Sequence, residues 1–351
     1  MSSKELIIKA LNREKTERVP VALLSGGAWT FNRKGLTLEE ALNIGAGQAA
    51  EIIAETNELA KSDIVWPSSG YHNLAIRAIG GEIKFRSKGT PDVQSALLKD
   101  INDIETINLD HLTEDKDINM LVETAAIVSE NIGGHTLIGA SQWGPFTLAG
   151  HIYGVEKLMR SIYRDKEAVK AVLEFTSELC YRYLALFIDA GVEIVSVADP
   201  TSSGDLISRK QFEEFSLPYL KKVVQKVKEK GALSSIHICG NITDRLDLIP
   251  ETGVNNLSID YKVEIKTARE KIGDQITFSG NMNPVAIMQN ASPEEVAEVC
   301  RDCIDQAGWD AGYILMPGCD LPPAVPLENI VSMVDTAWNY QQSGRPDQFC
   351  L

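Results

Sequence analysis

His237 and Cys239 stand two residues apart in a short apolar run, residues 234–239. On a β-strand, residues i and i+2 face the same side, so imidazole and thiol converge on one surface. A third soft donor, Cys319, follows another apolar run, residues 312–316. One His and two Cys suit zinc, with a fourth position left for water or substrate. The same residues also read as a satisfied core histidine and two buried thiols, because H-x-C alone is a weak pattern. Position separates the two readings. All three donors fall at the C-terminal ends of expected strands, where a parallel α/β barrel carries its active site.

The elements that must hold these donors recur along the whole chain. Strand-like runs occupy residues 19–24, 63–66, 136–141, 193–198, 234–239, 255–259, 276–280 and 312–316. Amphipathic helical stretches lie among them at 38–60, 166–190, 209–230, 263–272, 293–307 and 327–340. Eight alternating units predict a (β/α)8 TIM barrel, whereas open doubly wound sheets more often have about five to seven strands. At 351 residues the chain is long enough for one barrel of roughly 250 residues with additions, or for two domains of roughly 150. No long Pro/Gly/Ser linker divides it, so the expectation is a single barrel domain over 1–351. Residues 1–18 supply an N-terminal helix, and the acidic, β-like residues 81–117 form an insertion between the second and third strands. Ser292-Pro293-Glu294-Glu295 carries an N-cap Ser, a first-turn Pro and a Glu at the third position, which predicts a capping box.

Reading the strand ends in order adds further polar residues. Asp199 is a candidate catalytic carboxylate, able to take a proton at the mouth. Gln142, Asn241, Asp260 and Asn281 are candidates for orienting a bound cofactor or ligand, although each also suits a cap or turn. Asp320 adjoins Cys319 and is either part of the same loop network or solvated. Cys300 and Cys303 form C-x-x-C two turns inside a helix, not at its start, so they read as ordinary thiols on one helix face. Cys180, in mid-helix, and Cys350, at the tail, are similar. Gly45–Ala50 matches G-x-G-x-x-A but follows a helical segment, which makes it a poor dinucleotide signal. His72, His111, His135 and His151 have no usable spacing and default to structural or surface roles.

Charge and composition exclude several classes. Basic residues number 34 and acidic residues 49, so 34 − 49 = −15, a field that repels nucleic acid. The most apolar stretch, residues 183–198, is interrupted by Asp189 and Glu193, which argues against a membrane span. The N-terminus lacks a signal-peptide pattern, and six irregularly spaced cysteines do not make a disulfide framework. The expectation is a cytoplasmic protein with reduced thiols.

Several longer motifs are similar to the uroporphyrinogen decarboxylase superfamily, and more closely to its methylcobamide:coenzyme M methyltransferase branch. They are GPFTLAGHIYG at 144–154, DPTSSGDLISRKQFEEFSLPYLKKV at 199–223, HICGNITDRL at 237–246, GNMNPVAIM at 280–288 and ILMPGCDLPPAVPLENI at 314–330. HICGN with PGCDLPP is the specific pair. The resemblance implies that His237, Cys239 and Cys319 are zinc ligands. It further implies a methylated corrinoid as methyl donor and a zinc-activated small thiol such as coenzyme M as acceptor. Zinc with two thiolate ligands lowers the pKa of a bound thiol and leaves it electron-rich enough to attack a methyl group. No His lies in the D-x-H-x-x-G pattern of corrinoid-binding modules, so the methylcobamide is expected to arrive on a separate corrinoid protein. Three rival readings remain open at this point: a metal-free decarboxylase, a methyltransferase with a tetrahydrofolate acceptor, and a non-catalytic binding protein. The decarboxylase is disfavoured because residues 19–31 hold none of the arginines that a polycarboxylate substrate requires.

Overall fold

The computed structural model describes residues 1–23, 27–309 and 312–340. Seven strands form one parallel sheet in chain order: Ile64–Val65, Leu137–Trp143, Ile194–Ala198, Leu233–Ile238, Asn256–Ile259, Thr277–Met282 and Tyr313–Pro317. Runs such as IVSVA suit a sheet covered on both faces, and intervening helices provide the long crossovers that parallel pairing needs. The sheet curls so that its two edges approach the same stretch. Val21 bridges Leu315 in parallel, and the Val21 carbonyl accepts from the Asp63 amide at 2.8 Å. Buried Asp63 fixes that stretch by binding Arg18 bidentately and by accepting from the Val21 amide. The architecture is an α/β fold built on a curled parallel sheet.

One end of this sheet is sealed. Helix Ser3–Leu11 begins at a Ser2/Glu5 capping box and buries Leu6, Ile7, Ala10 and Leu11. Ile7, Ala10 and Leu11 pack with Ile64, Leu137, Ile194 and Ile314, residues from the early part of four strands. The Thr277 hydroxyl adds a bond to the Ala10 carbonyl at 2.7 Å. The helix therefore closes the N-terminal face and leaves the C-terminal strand ends as the open one. Above this floor the interior turns polar. Asn256 donates to the hydroxyls of Ser235 at 2.9 Å and Ser279 at 3.0 Å.

Several element boundaries differ from those read in the sequence. The stretch expected as a first strand makes only the single bridge at Val21, and Leu24 lies outside the described residues, as does Cys350. The helix expected at 38–60 is two, Leu38–Ala41 and Ala46–Ala60, because Gly45 adopts φ 89°, a left-handed conformation that suits glycine. The helix expected at 209–230 breaks at Ser216 into Arg209–Phe215 and Leu217–Glu229, with Pro218 in the first turn of the second piece. Residues 81–117 hold an antiparallel pair, Ile83–Lys84 with Asp92–Val93, then a 3-10 turn at Ile101–Thr106 and a short helix at His111–Glu114. Ser292 and Glu295 form the expected capping box with Pro293 at the first turn. No helix among the described residues is long and apolar enough to cross a membrane.

Candidate metal centre

His237 sits near the end of its strand, in register with Ala198 on one side and Ser258 on the other. Its Nδ1 faces the Ser258 carbonyl oxygen at 3.2 Å and the Ser258 Oγ at 3.0 Å. A carbonyl can only accept, so Nδ1 carries the proton and Nε2 presents a lone pair. That Nε2 lies 2.8 Å from Cys239 Sγ, which lies 3.1 Å from Cys319 Sγ. All three donor atoms fall within 4.8 Å of one another. Among the described residues no other His, Cys, Asp or Glu group of three gathers in this way.

Local backbone chemistry makes this convergence possible. Gly240 turns the chain away directly after Cys239 with φ 96°, and a side chain there would collide with Asp205 and Ser203. The sulfurs are too far apart for a disulfide, whose S–S bond is about 2.05 Å. A tetrahedral zinc ion with Zn–S bonds near 2.3 Å would hold two sulfurs about 3.8 Å apart, which a small side-chain rotation supplies. The donor set and the anchored imidazole tautomer therefore fit zinc. Contact with Cys239 and burial push the Cys319 thiol upward, against His237. Burial pulls His237 down, but Cys319, Asp320 and Asp260 outweigh it and the imidazole is raised.

Beside the three donors lies a cavity of about 90 Å³, lined also by His72, Ser141, Trp143, Pro200 and Asp320. His72 is buried, with Nε2 2.8 Å from Ser141 Oγ and its ring 4.4 Å from the Trp143 ring. Trp143 is held in turn by a 2.7 Å bond from its Nε1 to Asn73. Burial, with His151 nearby, pushes His72 down to about 3, so its ring is neutral and cannot serve as a base with an ordinary imidazole pKa. Asp320 is pushed up to about 6 by burial, with His237 and the Ser69 hydroxyl acting in the opposite direction.

The other residues singled out in the sequence occupy different places. Asp199 is fully buried, and its carboxylate is the hub of a hydrogen-bond network. It accepts from the Thr147 amide at 2.7 Å and the Ser202 hydroxyl at 2.7 Å, with Ser216 Oγ at 3.4 Å. Burial raises its pKa in spite of those bonds. This hub also gives the helix break at Ser216 a structural role. Gln142 alternates away from Ser141 and Trp143, does not line the cavity, and its Oε1 accepts from the Trp143 amide at 2.6 Å. Asn241 forms a turn with the Thr243 amide and faces a separate surface groove. The Asn281 side chain donates to the carbonyls of Asp260 and Val263, so Asn281 and Asp260 brace the rim. Cys300 and Cys303 are buried on helix Pro293–Ala307, where burial pushes both thiols up, Cys303 to about 11. Sequence reasoning missed His72 and Ser258. Extending the strand-end survey to the loop after residue 66 would have found His72. Ser258 lies inside a strand, and only its register with His237 exposes its role.

The sequence profile of the uroporphyrinogen decarboxylase family matches residues 2–340. A methylcobamide:CoM methyltransferase, MtbA, of Methanosarcina acetivorans is 35% identical over 254 residues, 72% of this chain and 73% of that protein. Its namesake from Methanosarcina mazei is 33% identical over 255 residues, 72% of this chain and 73% of that protein. The solved structure of a methyltransferase from Methanosarcina mazei superposes with a TM-score of 0.86 at 24% identity, covering 96% of this chain and 98% of that one.

Proposed function

This chain belongs to the uroporphyrinogen decarboxylase family, in its methylcobamide:CoM methyltransferase branch, and we propose that it is a zinc-dependent enzyme moving a methyl group from a methylated corrinoid to a small thiol. The observation that carries this reading is the convergence of His237 Nε2, Cys239 Sγ and Cys319 Sγ at the open end of the sheet. We read the curled sheet, with the stretch around Val21 between its edges, as a single (β/α)8 barrel domain whose 81–117 segment is an insertion. In this reading the methylcobamide is presented by a separate corrinoid protein.

Each residue has a defined task. Ser258 fixes the His237 tautomer so that Nε2 points at the donors. The strand holds His237, Cys239 follows directly after its last residue, Ile238, and Cys319 closes the set from the loop that follows Pro317. Trp143 and Pro200 wall the adjoining cavity and limit water beside the reacting sulfur. Zinc, when bound, would lower the pKa of an acceptor thiol and keep the sulfur nucleophilic.

The test combines metal analysis with turnover. Protein purified under reducing conditions should contain one zinc per chain and methylate a small thiol with free methylcobalamin as donor. Cys239→Ala should lose the metal and fall to the uncatalysed rate. A Cys239→Ala variant with undiminished transfer would overturn the reading, and porphyrinogen decarboxylation unaffected by that substitution would replace it with the metal-free chemistry of the family.

A further inference from the structure

The cavity beside the three donors has a volume of about 90 Å³. A protein cavity of about 150 Å³ holds a benzene molecule, so a six-membered ring exceeds the space here, whereas a two-carbon chain fits. A corrinoid is larger still and must meet the reacting sulfur from the open end of the sheet. The walled cavity is therefore left to the tail of the thiol, and its width limits which tails enter.

Trp143 is the largest side chain on that wall. It ends strand Leu137–Trp143, where its backbone pairs with Ala198 of the next strand. Its indole Nε1 donates to Asn73 Oδ1 at 2.7 Å, and Asn73 Nδ2 donates in turn to the Pro91 carbonyl at 2.8 Å. Pro91 directly precedes the strand Asp92–Val93, so the 81–117 segment braces the indole through Asn73. The buried His72 ring packs against the indole, with centroids 4.4 Å apart and an interplanar angle of 34°. His72 is itself pinned to Ser141 Oγ at 2.8 Å. To swing aside, the indole must give up both its hydrogen bond and this ring contact.

We propose that Trp143, locked by Asn73 and His72, sets the width of the acceptor: it admits slender two-carbon thiols and excludes thiols that carry a ring on the carbon next to sulfur. The inference rests on the thiol methyltransferase reading above and names a residue that determines its specificity. In the transfer itself the thiol gives up its proton to solvent and its sulfur forms the new S–CH3 bond. The electron pair of the breaking Co–CH3 bond stays on cobalt. Trp143 takes no part in that exchange; it decides which tail can lie beside the sulfur.

Three thiols test this: 2-mercaptoethanesulfonate, 2-mercaptoethanol and phenylmethanethiol. Zinc-loaded full-length protein is assayed with methylcobalamin, and each kcat/KM is divided by the uncatalysed rate with the same thiol. In the wild type the normalised value for phenylmethanethiol should be at least ~10-fold below that for 2-mercaptoethanol, because overfilling a packed site is penalised. Trp143→Ala should shrink that gap by ~10-fold or more. Asn73→Ala keeps the indole but unties it, and should shrink the gap by ~5-fold, the worth of one hydrogen bond. It stands as the test if Trp143→Ala fails to fold. Zinc content measured on each sample separates loss of metal from a change of fit. Metal-free protein supplies a readout without turnover: phenylmethanol should raise the Tm of Trp143→Ala and leave that of the wild type unchanged. A wild type that uses phenylmethanethiol as well as 2-mercaptoethanol, or variants that keep the wild-type ratio with no rise in Tm, would overturn the role of Trp143 while leaving the methyltransferase reading intact. Failure of all three thiols would overturn that reading, and the Tm comparison would then still decide the width of the cavity.

Discussion

Ser258→Ala isolates the group that aims the imidazole. In the native protein Nδ1 of His237 meets two oxygens of the same residue, the hydroxyl at 3.0 Å and the carbonyl at 3.2 Å. Substitution by alanine removes the first and keeps the second. Loss of a group that orients a metal-bound histidine costs about 10- to 100-fold in metal affinity. Because the carbonyl still selects the Nδ1–H tautomer, the effect belongs at the lower end: about tenfold, or ~1.4 kcal/mol. Folding of the metal-free protein should change by only about 1 kcal/mol, the net worth of one hydroxyl hydrogen bond. Zinc affinity is read by competition against a chromophoric chelator at neutral pH, and folding stability by urea denaturation with the metal removed. Unchanged zinc affinity would show that Ser258 does not orient the ring. A loss as large as that in His237→Ala would show that the carbonyl alone cannot hold the tautomer. Either result refutes the division of labour between the two oxygens.

Two other perturbations reach the surroundings of the site. His72 is held near 3 in the folded protein, whereas a free imidazole titrates near 6.5, so acid protonates the unfolded chain first. Its contribution is complete above about 6.5 and is lost progressively as pH falls toward 3; between about pH 7 and pH 5 the wild type should lose about 2 kcal/mol more stability than His72→Gln. Urea midpoints of the two metal-free proteins at both pH values check this, and parallel profiles would contradict it. Gly318→Ala would place a methyl carbon 2.7 Å from the Tyr261 amide nitrogen and 3.2 Å from the Asn281 carbonyl oxygen. These are backbone atoms, so the loop carrying Cys319 must move, at a folding cost of about 1–3 kcal/mol. Zinc per chain should fall on dialysis, and full retention would show that the loop absorbs the methyl without displacing Cys319.

The alternation of apolar runs with helical stretches made the fold class legible, because strand burial and crossover length leave direct marks in the sequence. Seven of the eight expected runs became hydrogen-bonded strands, while the run around Val21 contributes one bridge between the sheet edges. The helix breaks at Gly45 and Ser216 were less visible. At Gly45 the cause is a backbone dihedral, and at Ser216 the hydroxyl faces the buried Asp199, a partner distant in sequence. The convergence of His237, Cys239 and Cys319 was legible because soft donors at strand ends are uncommon and period-2 geometry gives His237 and Cys239 a common face. His72 was not, since a lone histidine in a loop carries no spacing to another donor. Its contact with Ser141, from a different strand, exists only after the chain folds.

Depth within the mouth separates the residues that can meet a ligand from those that support them, and the sequence does not encode depth directly. His237 and Asp199 come from adjacent strands; His237 is in register with Ala198, and the Asp199 amide bonds to the His237 carbonyl at 2.7 Å. Yet the His237 ring borders the cavity, while the Asp199 carboxylate turns back toward the Thr147 amide and the serines around it. Asn281 and Asp260 repeat the pattern on the other side. The Asn281 amide holds the loop after Ile259, and Gly318 packs against that loop at Tyr261 as it leads into Cys319. Two of the candidate donors thus come from one strand and its end, whereas the third rides on a loop whose position is set by neighbouring backbone. Polar residues at strand ends are needed for both purposes, since a loop that carries a ligand must have its own amides and carbonyls satisfied. A strand-end survey finds the neighbourhood of the chemistry; side-chain direction within each strand and the bonds each group already makes decide which members remain available to a ligand.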